Sequence, residues 1–253
     1  RQRQMCIRDR IYPASMTKIM TALLTIENLP DLNETITVPE DIFEELTAQD
    51  ASVAGFNPYE QPTVRDLLYG VLLPSGADAC ETLARAVGGS EEGFVAMMNQ
   101  KAEELGLTNT HFENCTGLHN DNHYSTCRDI AVLMSECLKS DTFREIVTRE
   151  VYTTEATASH PEGITLYDTM LHRFTSYEMS TTLENGAVIE GGKTGFTDEA
   201  GQCLVSFAEY GGEEYILVTA EAMTDSGSAV DSIADASTVY GLSLIHIYEP
   251  TRH

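Results

Sequence analysis

Apolar residues recur every three or four positions through much of the chain, which is the spacing of helices that bury one face. The segment that follows Ser15 reads MTKIMTALLTIENL, and its apolar positions predict a largely buried helix with Ser15 at its start. Further helices are predicted to begin at Pro39 and at Ser90, and to cover residues 64–73, 77–87, 129–138 and 228–240.

The pattern changes after Gly201, where apolar and polar residues begin to alternate as they do in strands. Residues 202–209 and 215–223 flank the pair Gly211-Gly212, and this arrangement predicts an antiparallel hairpin. Residues 150–186 are polar and irregular, and they give only weak helix or strand patterns. The chain is therefore predicted to have a helical middle, a hairpin and a terminal helix.

Composition narrows the class of protein. The chain has 253 residues, of which 42% are apolar, so it is long enough to bury a substantial core. Its 40 acidic residues against 15 lysines and arginines give a net charge of −25. Such a charge repels phosphate backbones and anionic headgroups, so no nucleic-acid binding is expected. No run approaches ~18 consecutive apolar residues, and no membrane span is predicted.

The two ends of the chain read unlike the rest. Residues 1–10 include MCIRDR, and residues 242–253 begin with LSLIHI. DNA sequences that encode these strings can be reverse complements of each other over most of their length, and they resemble a transposon-end adapter used in sequencing libraries. We therefore expect residues 1–10 and 242–253 to be adapter-derived, and the native domain to comprise residues 11–241.

Cysteine usage argues against a disulfide framework and a zinc site. Without Cys6, which lies in the first of these ends, five cysteines remain, and no two form a C-x-x-C pair. We expect free thiols buried in the core, and no metal or cofactor. The five cysteines are Cys80, Cys115, Cys127, Cys137 and Cys203.

Lysine is rare in residues 11–241, and two of its four occurrences lie in motifs that carry chemistry. Ser15-Met-Thr-Lys18 is an S-x-x-K at a predicted helix start, and Lys193-Thr194-Gly195 is a K-T-G. Either motif alone is weak, because chance produces each in many proteins. Together, in this order and with the flanks PASMTKIMTALL and GGKTGFTDEAG, they indicate a penicillin-binding protein or a serine β-lactamase.

The spacing of the first motif has a physical reason. Three residues apart on a helix, Ser15 and Lys18 share one face and lie within reach of each other. The helix N-terminus places positive potential and free backbone N–H groups near the Ser15 hydroxyl. A serine hydroxyl is a poor nucleophile until a base takes its proton. Lys18 can be that base only if burial, or a second cation such as Lys193, lowers its pKa.

With these motifs, the chain resembles the serine-type D-alanyl-D-alanine carboxypeptidases, which are low-molecular-mass penicillin-binding proteins. The resemblance runs from about Tyr12 to Tyr240. It includes TVRDLLYGVLLPSGADA at 63–79, GSEEGFVAMMNQKAEELGLTNTHFENCTGL at 89–118, HYSTCRDIAVLM at 123–134 and KTGFTDEAGQCLVS at 193–206.

The resemblance implies an α+β fold, in which an antiparallel sheet with flanking helices lies beside an all-helical lobe and the active site lies between them. Strands that normally precede the S-x-x-K serine are missing from this sequence. Residues 11–241 are therefore expected to form an N-terminally truncated catalytic domain with an incomplete sheet.

The resemblance also implies catalytic roles. Ser15 is expected to be the acylated nucleophile and Lys18 its general base. Ser75, in Ser75-Gly76-Ala77, would relay protons between Lys18, Lys193 and the leaving amine. The oxyanion hole would use the backbone N–H groups of Ser15 and Phe196.

Three residues are expected to bind substrate. The resemblance places Lys193 and Thr194 on an edge strand, where they would hold the terminal carboxylate of the peptide. Gly195 would leave room for the substrate backbone beside that strand.

Two departures from the family pattern concern the substrate. The middle motif usually ends in Asn, whereas this chain has Ala77, so an amide that could steady Lys18 is absent. Asp78 is adjacent, but on a helix its side chain is expected to point elsewhere. Residues 224–226 also lack the arginine that family members often carry there. His111 and His123 are expected to be structural, since S-x-x-K chemistry needs no histidine.

The expected activity is removal of the terminal D-alanine from peptidoglycan stem peptides through an acyl-enzyme on Ser15, with β-lactams as covalent inhibitors. The expected location is extracytoplasmic, at the cell envelope, with membrane association only through segments absent here. One alternative is a penicillin-sensing or degenerate homologue that is acylated without turnover. Another is a serine β-lactamase, which would need an E-x-x-L-N run that residues 127–193 lack.

Overall fold

The structure is a computed structural model, and it describes residues 8–222 and 231–247. Most of the helices precede the main sheet along the chain. A small hairpin and one helix lie between these helices and the sheet, and one helix follows the sheet. In the described residues the helices are α1 (Lys18–Asn28), α2 (Ile42–Ala48), α3 (Val64–Leu72), α4 (Ala77–Gly88), α5 (Glu91–Glu104), α6 (Cys127–Cys137), α7 (Asp141–Val147), α8 (Leu171–Ser176) and α9 (Asp231–Ile247). The strands are β1 (Val151–Thr153), β2 (Thr165–Tyr167), β3 (Val188–Thr197), β4 (Gly201–Tyr210) and β5 (Glu213–Ala222).

Helix α1 lies at the centre of the helical lobe. It packs against α3, α4, α5, α6 and α7, and every residue from Lys18 to Thr25 is buried. A helix that is buried on all sides belongs in the interior of a lobe rather than on its surface. The S-x-x-K motif therefore leads directly into the most enclosed helix of the lobe.

Side-chain caps fix where several of the surrounding helices begin. Thr63 and Asp66 form a reciprocal capping box at the start of α3, with Asp66 N donating to Thr63 Oγ1 at 3.1 Å and Thr63 N donating to Asp66 Oδ2 at 3.2 Å. Ser90, Thr126 and Ser140 cap α5, α6 and α7 through their hydroxyl groups. Helix α7 was not predicted, because seven residues are too few to show a helical period; α2, of the same length, was predicted from the start signal at Pro39.

The main sheet is antiparallel with the strand order β3-β4-β5, and it is covered on both faces. On β4, Cys203 and Val205 face the core of the helical lobe, while Leu204 and Ala208 face a second core. This period of two is that of a strand with both faces buried. The second core includes residues of α8 and α9, so the sheet lies between the lobe and these two helices.

Strand β3 lies at one edge of the sheet, as the resemblance implied. The hydrophobic pattern did not predict it, because glycines at 191, 192 and 195 interrupt the alternation. At the opposite edge, β5 pairs with β4 alone among the described residues. The α+β fold is confirmed, and the expectation of an incomplete sheet stays a prediction.

Several boundaries differ from the predictions. Residues 150–186, which gave weak patterns, contain the β1–β2 hairpin and α8. Ser15 lies in a 3₁₀ turn, Ala14–Thr17, that precedes α1 rather than in the α-helix itself. Helix α9 continues to Ile247, six residues beyond the predicted end of the native domain at 241. The assignment of 1–10 and 242–253 to adapter DNA stays a prediction, and residues 1–7 and 248–253 lie outside the described residues.

The five cysteines expected to be free are unpaired, and four of them are buried. Within the described residues, no helix combines the length and the apolar character that crossing a bilayer requires.

Candidate active site

The turn that carries Ser15 is held between two glycines. A Cβ at Gly117, which has a φ of +83°, would overlap the carbonyl oxygen of Ala14. A Cβ at Gly195 on β3 would lie 3.1 Å from both Pro13 O and Ser15 N. Ala14 itself has a φ of +46°, so the backbone is strained immediately before the serine. The Ser15 turn therefore sits tightly between β3 and the loop containing Gly117.

This contact gives Gly195 a function that the sequence did not suggest. The space of its absent side chain adjoins the turn that carries Ser15. The expected contact between Gly195 and substrate backbone is a separate matter and stays a prediction.

Ser15 and Lys18 make the contact that their spacing predicted. Lys18 Nζ lies 2.9 Å from Ser15 Oγ, and it donates a hydrogen bond to the carbonyl oxygen of Thr116 at 2.6 Å. Lys18 is only 3% exposed, and its burial lowers its pKa. A neutral amine that donates to Thr116 O keeps its lone pair for the serine proton, so Lys18 is placed to act as a base.

Lys193 shares this buried environment. It is fully buried on β3, and its Nζ donates to the carbonyl oxygen of Thr194 at 3.0 Å. Burial lowers the pKa of Lys193, and the positive charge of nearby Lys18 lowers it further. Lys18 is therefore close enough to act on Lys193, but burial, and not a second cation, lowers the pKa of Lys18 itself.

A buried carboxylate acts on Lys193 in the opposite direction. Asp168 is 1% exposed, and its negative charge favours the protonated form of Lys193. Burial raises the pKa of Asp168, while hydrogen bonds to its carboxylate and the charge of Lys193 oppose this shift. Asp168 could not be predicted from the sequence, since it lies 25 positions from Lys193 in a segment without a clear pattern.

Ser75 lies in a strained turn between α3 and α4. Its φ is +67°, which is unusual for a residue other than glycine. Its Oγ is buried and makes no hydrogen bond to any residue in the described part of the chain. The expected proton relay through Ser75 is therefore not connected in this structure, and it stays a prediction.

Asp78 points away from the serine, as expected. One of its carboxylate oxygens accepts hydrogen bonds from Ala54 N and the other from Gly55 N and Phe56 N, at 2.7 to 3.1 Å. The Asp78 carboxylate thus holds the loop that precedes α3 in place. It does not replace the amide that is absent at position 77, where the side chain of Ala77 is buried.

His123 supports the turn that carries Ser15 through a hydrogen bond to Thr17. Glu113 N donates to its Nδ1 at 3.2 Å, so Nε2 carries the proton and donates to Thr17 Oγ1 at 2.8 Å. Burial lowers the pKa of His123 to about 3. A neutral, doubly hydrogen-bonded histidine is structural, as predicted, and it fixes Thr17 between the two catalytic candidates.

The two backbone N–H groups expected to form the oxyanion hole belong to adjoining segments. Ser15 N lies beside Gly195, and Phe196 is the next residue of β3, where it pairs with Gln202. The Phe196 side chain is 56% exposed, so this end of β3 opens to solvent. Binding of a substrate oxygen by both N–H groups stays a prediction. Residues 224–226, which lack the arginine common in the family, lie outside the described residues.

One group of side chains in the described residues has metal-ligand geometry. Ligand atoms of Glu81, Glu91 and Cys115 lie within 4.8 Å of one another. Burial, and then the charge of Glu91, raise the pKa of Glu81, and Cys115 Sγ donates to Glu81 Oε1 at 3.4 Å. Cys115 donates to both carboxyl groups, from its sulfur to Glu81 and from its backbone N–H to Glu91, and the chemistry at Ser15 does not require a metal.

The comparisons with known proteins agree with this geometry. The D-alanyl-D-alanine carboxypeptidase family model matches residues 6–224. The chain is 36% identical over 217 residues to D-alanyl-D-alanine carboxypeptidase DacF of Bacillus subtilis, covering 85% of this chain and 52% of DacF. It is 36% identical over 238 residues to a D-alanyl-D-alanine carboxypeptidase of Streptomyces sp. strain K15, covering 91% of this chain and 78% of that protein.

Solved structures extend the similarity to the fold. The crystal structure of the Streptomyces K15 DD-transpeptidase matches with a TM-score of 0.78 and 31% identity, over 94% of this chain and 90% of that one. A D-alanyl-D-alanine carboxypeptidase from Mycobacterium tuberculosis matches with a TM-score of 0.78 and 26% identity, over 97% and 86%. The chain spans about half the length of DacF and about four fifths of the K15 protein. On these matches, this chain belongs to the D-alanyl-D-alanine carboxypeptidase family.

Proposed function

We propose that this protein is a serine D-Ala-D-Ala carboxypeptidase that removes the terminal D-alanine from peptidoglycan stem peptides. The observation that carries the proposal is the buried amine of Lys18, 2.9 Å from the Ser15 hydroxyl. A depressed lysine pKa beside a serine is the condition for an activated nucleophile.

Acylation begins with Lys18. Its neutral amine takes the proton of Ser15 Oγ as the oxygen attacks the carbonyl carbon between the two D-alanines. The negative charge that develops on the carbonyl oxygen is stabilised by the backbone N–H groups of Ser15 and Phe196. The C–N bond then breaks, and the leaving amine receives the proton from Lys18 through the Ser75 hydroxyl. Such a relay would give the buried Ser75 Oγ the hydrogen bonds that it lacks in the free protein.

Strand β3 binds the terminal carboxylate of the substrate in this proposal. The ammonium of Lys193 and the hydroxyl of Thr194 bind the terminal carboxylate, which orients the scissile bond toward Ser15. After D-alanine departs, Lys18 deprotonates a water molecule, which hydrolyses the ester and frees the serine. β-Lactams, which carry a reactive carbonyl and a carboxylate, acylate the same serine.

The substrate implies the place of action. A peptidoglycan stem peptide occurs at the cell envelope, so we place the protein outside the cytoplasm. Relatives bear both names, carboxypeptidase and transpeptidase, and the names refer to water or an amine as the acceptor of the acyl group. We assign water as the acceptor here.

Release of D-alanine tests the proposal. The purified chain is incubated with diacetyl-L-Lys-D-Ala-D-Ala, and free D-alanine is measured beside the S15A variant. We expect release that the variant loses entirely, because no other hydroxyl lies within reach of Lys18 among the contacts described. Equal release by S15A would contradict the proposal.

A fluorescent penicillin separates the alternatives. Labelling of Ser15 without D-alanine release would indicate a penicillin-sensing or degenerate homologue, for which Ala77 is the supporting observation. Rapid hydrolysis of the penicillin would indicate a β-lactamase. Slow release of the label together with D-alanine production supports the carboxypeptidase.

A further inference from the structure

A short segment between β2 and α8, Asp168-Thr169-Met170, contacts two separate elements of the active site. Thr169 N donates to Leu73 O at 3.1 Å, two residues before Ser75. The Thr169 hydroxyl lies 2.6 Å from Thr194 Oγ1. Thr169 therefore joins the turn that carries Ser75 to the strand that carries Thr194.

The segment itself is rigid. Asp168 Oδ1 accepts hydrogen bonds from Met170 N at 2.8 Å and from Leu171 N at 2.6 Å. Asp168 N donates to Glu150 O at 2.8 Å. Met170 is fully buried, and its sulfur would lie 2.9 Å from a Cβ at Gly192, the residue before Lys193. Thr169 is thus held on both sides against β3.

The protons of the two hydroxyl groups determine what this contact does. Each threonine hydroxyl has one proton to donate and can accept in return. If Thr194 donates its proton to a substrate carboxylate, the hydrogen bond between the hydroxyls requires Thr169 to be the donor. Thr194 is only 7% exposed, so few other donors reach its oxygen.

We infer that Thr169 is a positioning residue that directs the Thr194 proton toward the terminal carboxylate and so sets the preference for a free carboxylate end. The inference rests on the proposed function, because it assigns the substrate group that Thr194 binds. Thr169 itself does not touch substrate. By donating to Thr194 Oγ1, Thr169 leaves the Thr194 proton to the carboxylate and strengthens the hydrogen bond that this proton makes.

The test compares two substrates with T169V, which keeps the shape of the side chain and removes the donor. One substrate is diacetyl-L-Lys-D-Ala-D-Ala, and the other is the same peptide with a C-terminal carboxamide. We expect kcat/KM on the free carboxylate to fall about tenfold in T169V, and kcat/KM on the carboxamide to change less than about twofold. T169S, which keeps the donor, should retain the ratio of the two values.

Two further variants guard against a fold defect. T169A also lacks the donor and should show the same loss of ratio. T153V removes one hydroxyl from the exposed pair Thr153 and Thr165, whose hydroxyls lie 3.3 Å apart on β1 and β2, and it should leave both substrates unaffected. Thermal unfolding of each variant shows whether it is folded at the assay temperature.

Equal losses on both substrates in T169V and T169A would overturn the inference, because a merely structural contact affects both. An unchanged ratio would overturn it as well. If the unmodified protein releases no D-alanine, the proposed function fails and the inference falls with it. Activity with an unaltered ratio in the variants leaves the proposed function standing and removes only the role of Thr169.

Discussion

Single residues decide where the protons of the site reside. Two buried lysines cannot both be charged without cost, since burial disfavours each ammonium and each charge repels the other. Thr116 O and Ser15 Oγ surround the amine of Lys18, whereas Asp168 lies near Lys193. Burial favours the neutral form of Lys18 and the charge of Asp168 favours the protonated form of Lys193, so we propose that Lys18 is the base and that Lys193 is the ammonium that binds carboxylate.

The substitution D168N tests this division of charge. Asn keeps the oxygen that accepts both backbone N–H groups and removes the negative charge, so the local fold is expected to persist. Without that charge the pKa of Lys193 falls further, and the ammonium that binds carboxylate is lost at a lower pH. We expect KM for the D-Ala-D-Ala peptide to begin rising about one pH unit earlier on the alkaline side.

The profile of KM against pH, measured for both proteins, checks this expectation. The carboxamide peptide is the control, because it lacks the carboxylate that we propose Lys193 binds. Superimposable profiles for D168N and the unmodified protein would show that Asp168 does not influence Lys193.

At this scale, the sequence predicted some contacts and not others. The contact between Ser15 and Lys18 could be predicted, because residues three positions apart on a helical turn lie on the same face. The disconnected Ser75 hydroxyl and the contacts of Asp168 and Thr169 could not. They depend on how distant segments pack, and no local pattern encodes that packing.

Among the elements, β3 has the strictest packing requirement, because it must touch the turn that carries Ser15. Gly195 allows this approach, and together with Gly191 and Gly192 it hid the strand from the hydrophobic pattern. The position of β3 was available only from the resemblance to known enzymes. Helix α7 and the β1–β2 hairpin were not predicted because elements of three to seven residues show no clear period, and the short helix α2 was predicted only from the start signal at Pro39.

The substitution G195A tests the contact between strand and turn. Its Cβ would lie 3.1 Å from Pro13 O and Ser15 N, so the turn must shift by a few tenths of an ångström. Small displacements of a nucleophile are costly, and we expect kcat/KM to fall about tenfold or more. The cost in the free energy of unfolding is expected to be about 1 kcal/mol.

The matched control is G241A in α9, where an added Cβ meets nothing within 4 Å. That variant should keep its activity. A G195A protein with unaltered kinetics would show that the turn tolerates the displacement, and that the glycine is not needed for catalysis.

At the scale of the whole molecule, the acidic net charge contrasts with the buried lysines of the candidate site. The net charge is −25, whereas the two lysines of the site are buried, and the buried His123 contacts Thr17 in the turn between Ser15 and Lys18. The overall α+β architecture and the position of the site between lobe and sheet could be predicted from the resemblance. The role of His123 in joining the lobe to the site could not, because it depends on a hydrogen bond across 106 positions of sequence.

His123 makes stability depend on pH. Its pKa is about 3 in the folded protein against 6.5 for an ordinary histidine, so between these values the unfolded chain binds the additional proton. Stability therefore rises with pH across this window and is lost as the pH falls, by up to about 1.4 kcal/mol per pH unit from this group. We expect H123Q to have a shallower dependence of unfolding free energy on pH.

Urea unfolding at pH 6.5, 5.5 and 4.5 measures that dependence, with H172Q as the control at an exposed histidine that is not among the groups acting on His123. A slope that changes in H123Q and not in H172Q assigns the dependence to His123. Parallel dependences for H123Q and the unmodified protein would exclude His123 as the source of the slope.

The central claim is that Ser15, activated by Lys18, becomes acylated as the terminal D-alanine leaves. The most direct measurement is rapid acid quenching of the protein with diacetyl-L-Lys-D-Ala-D-Ala, followed by peptide mapping by mass spectrometry. We predict an adduct of the substrate minus D-alanine on the peptide that contains Ser15, and no adduct in K18A. An adduct on another residue, or D-alanine release by S15A at an undiminished rate, would contradict the account.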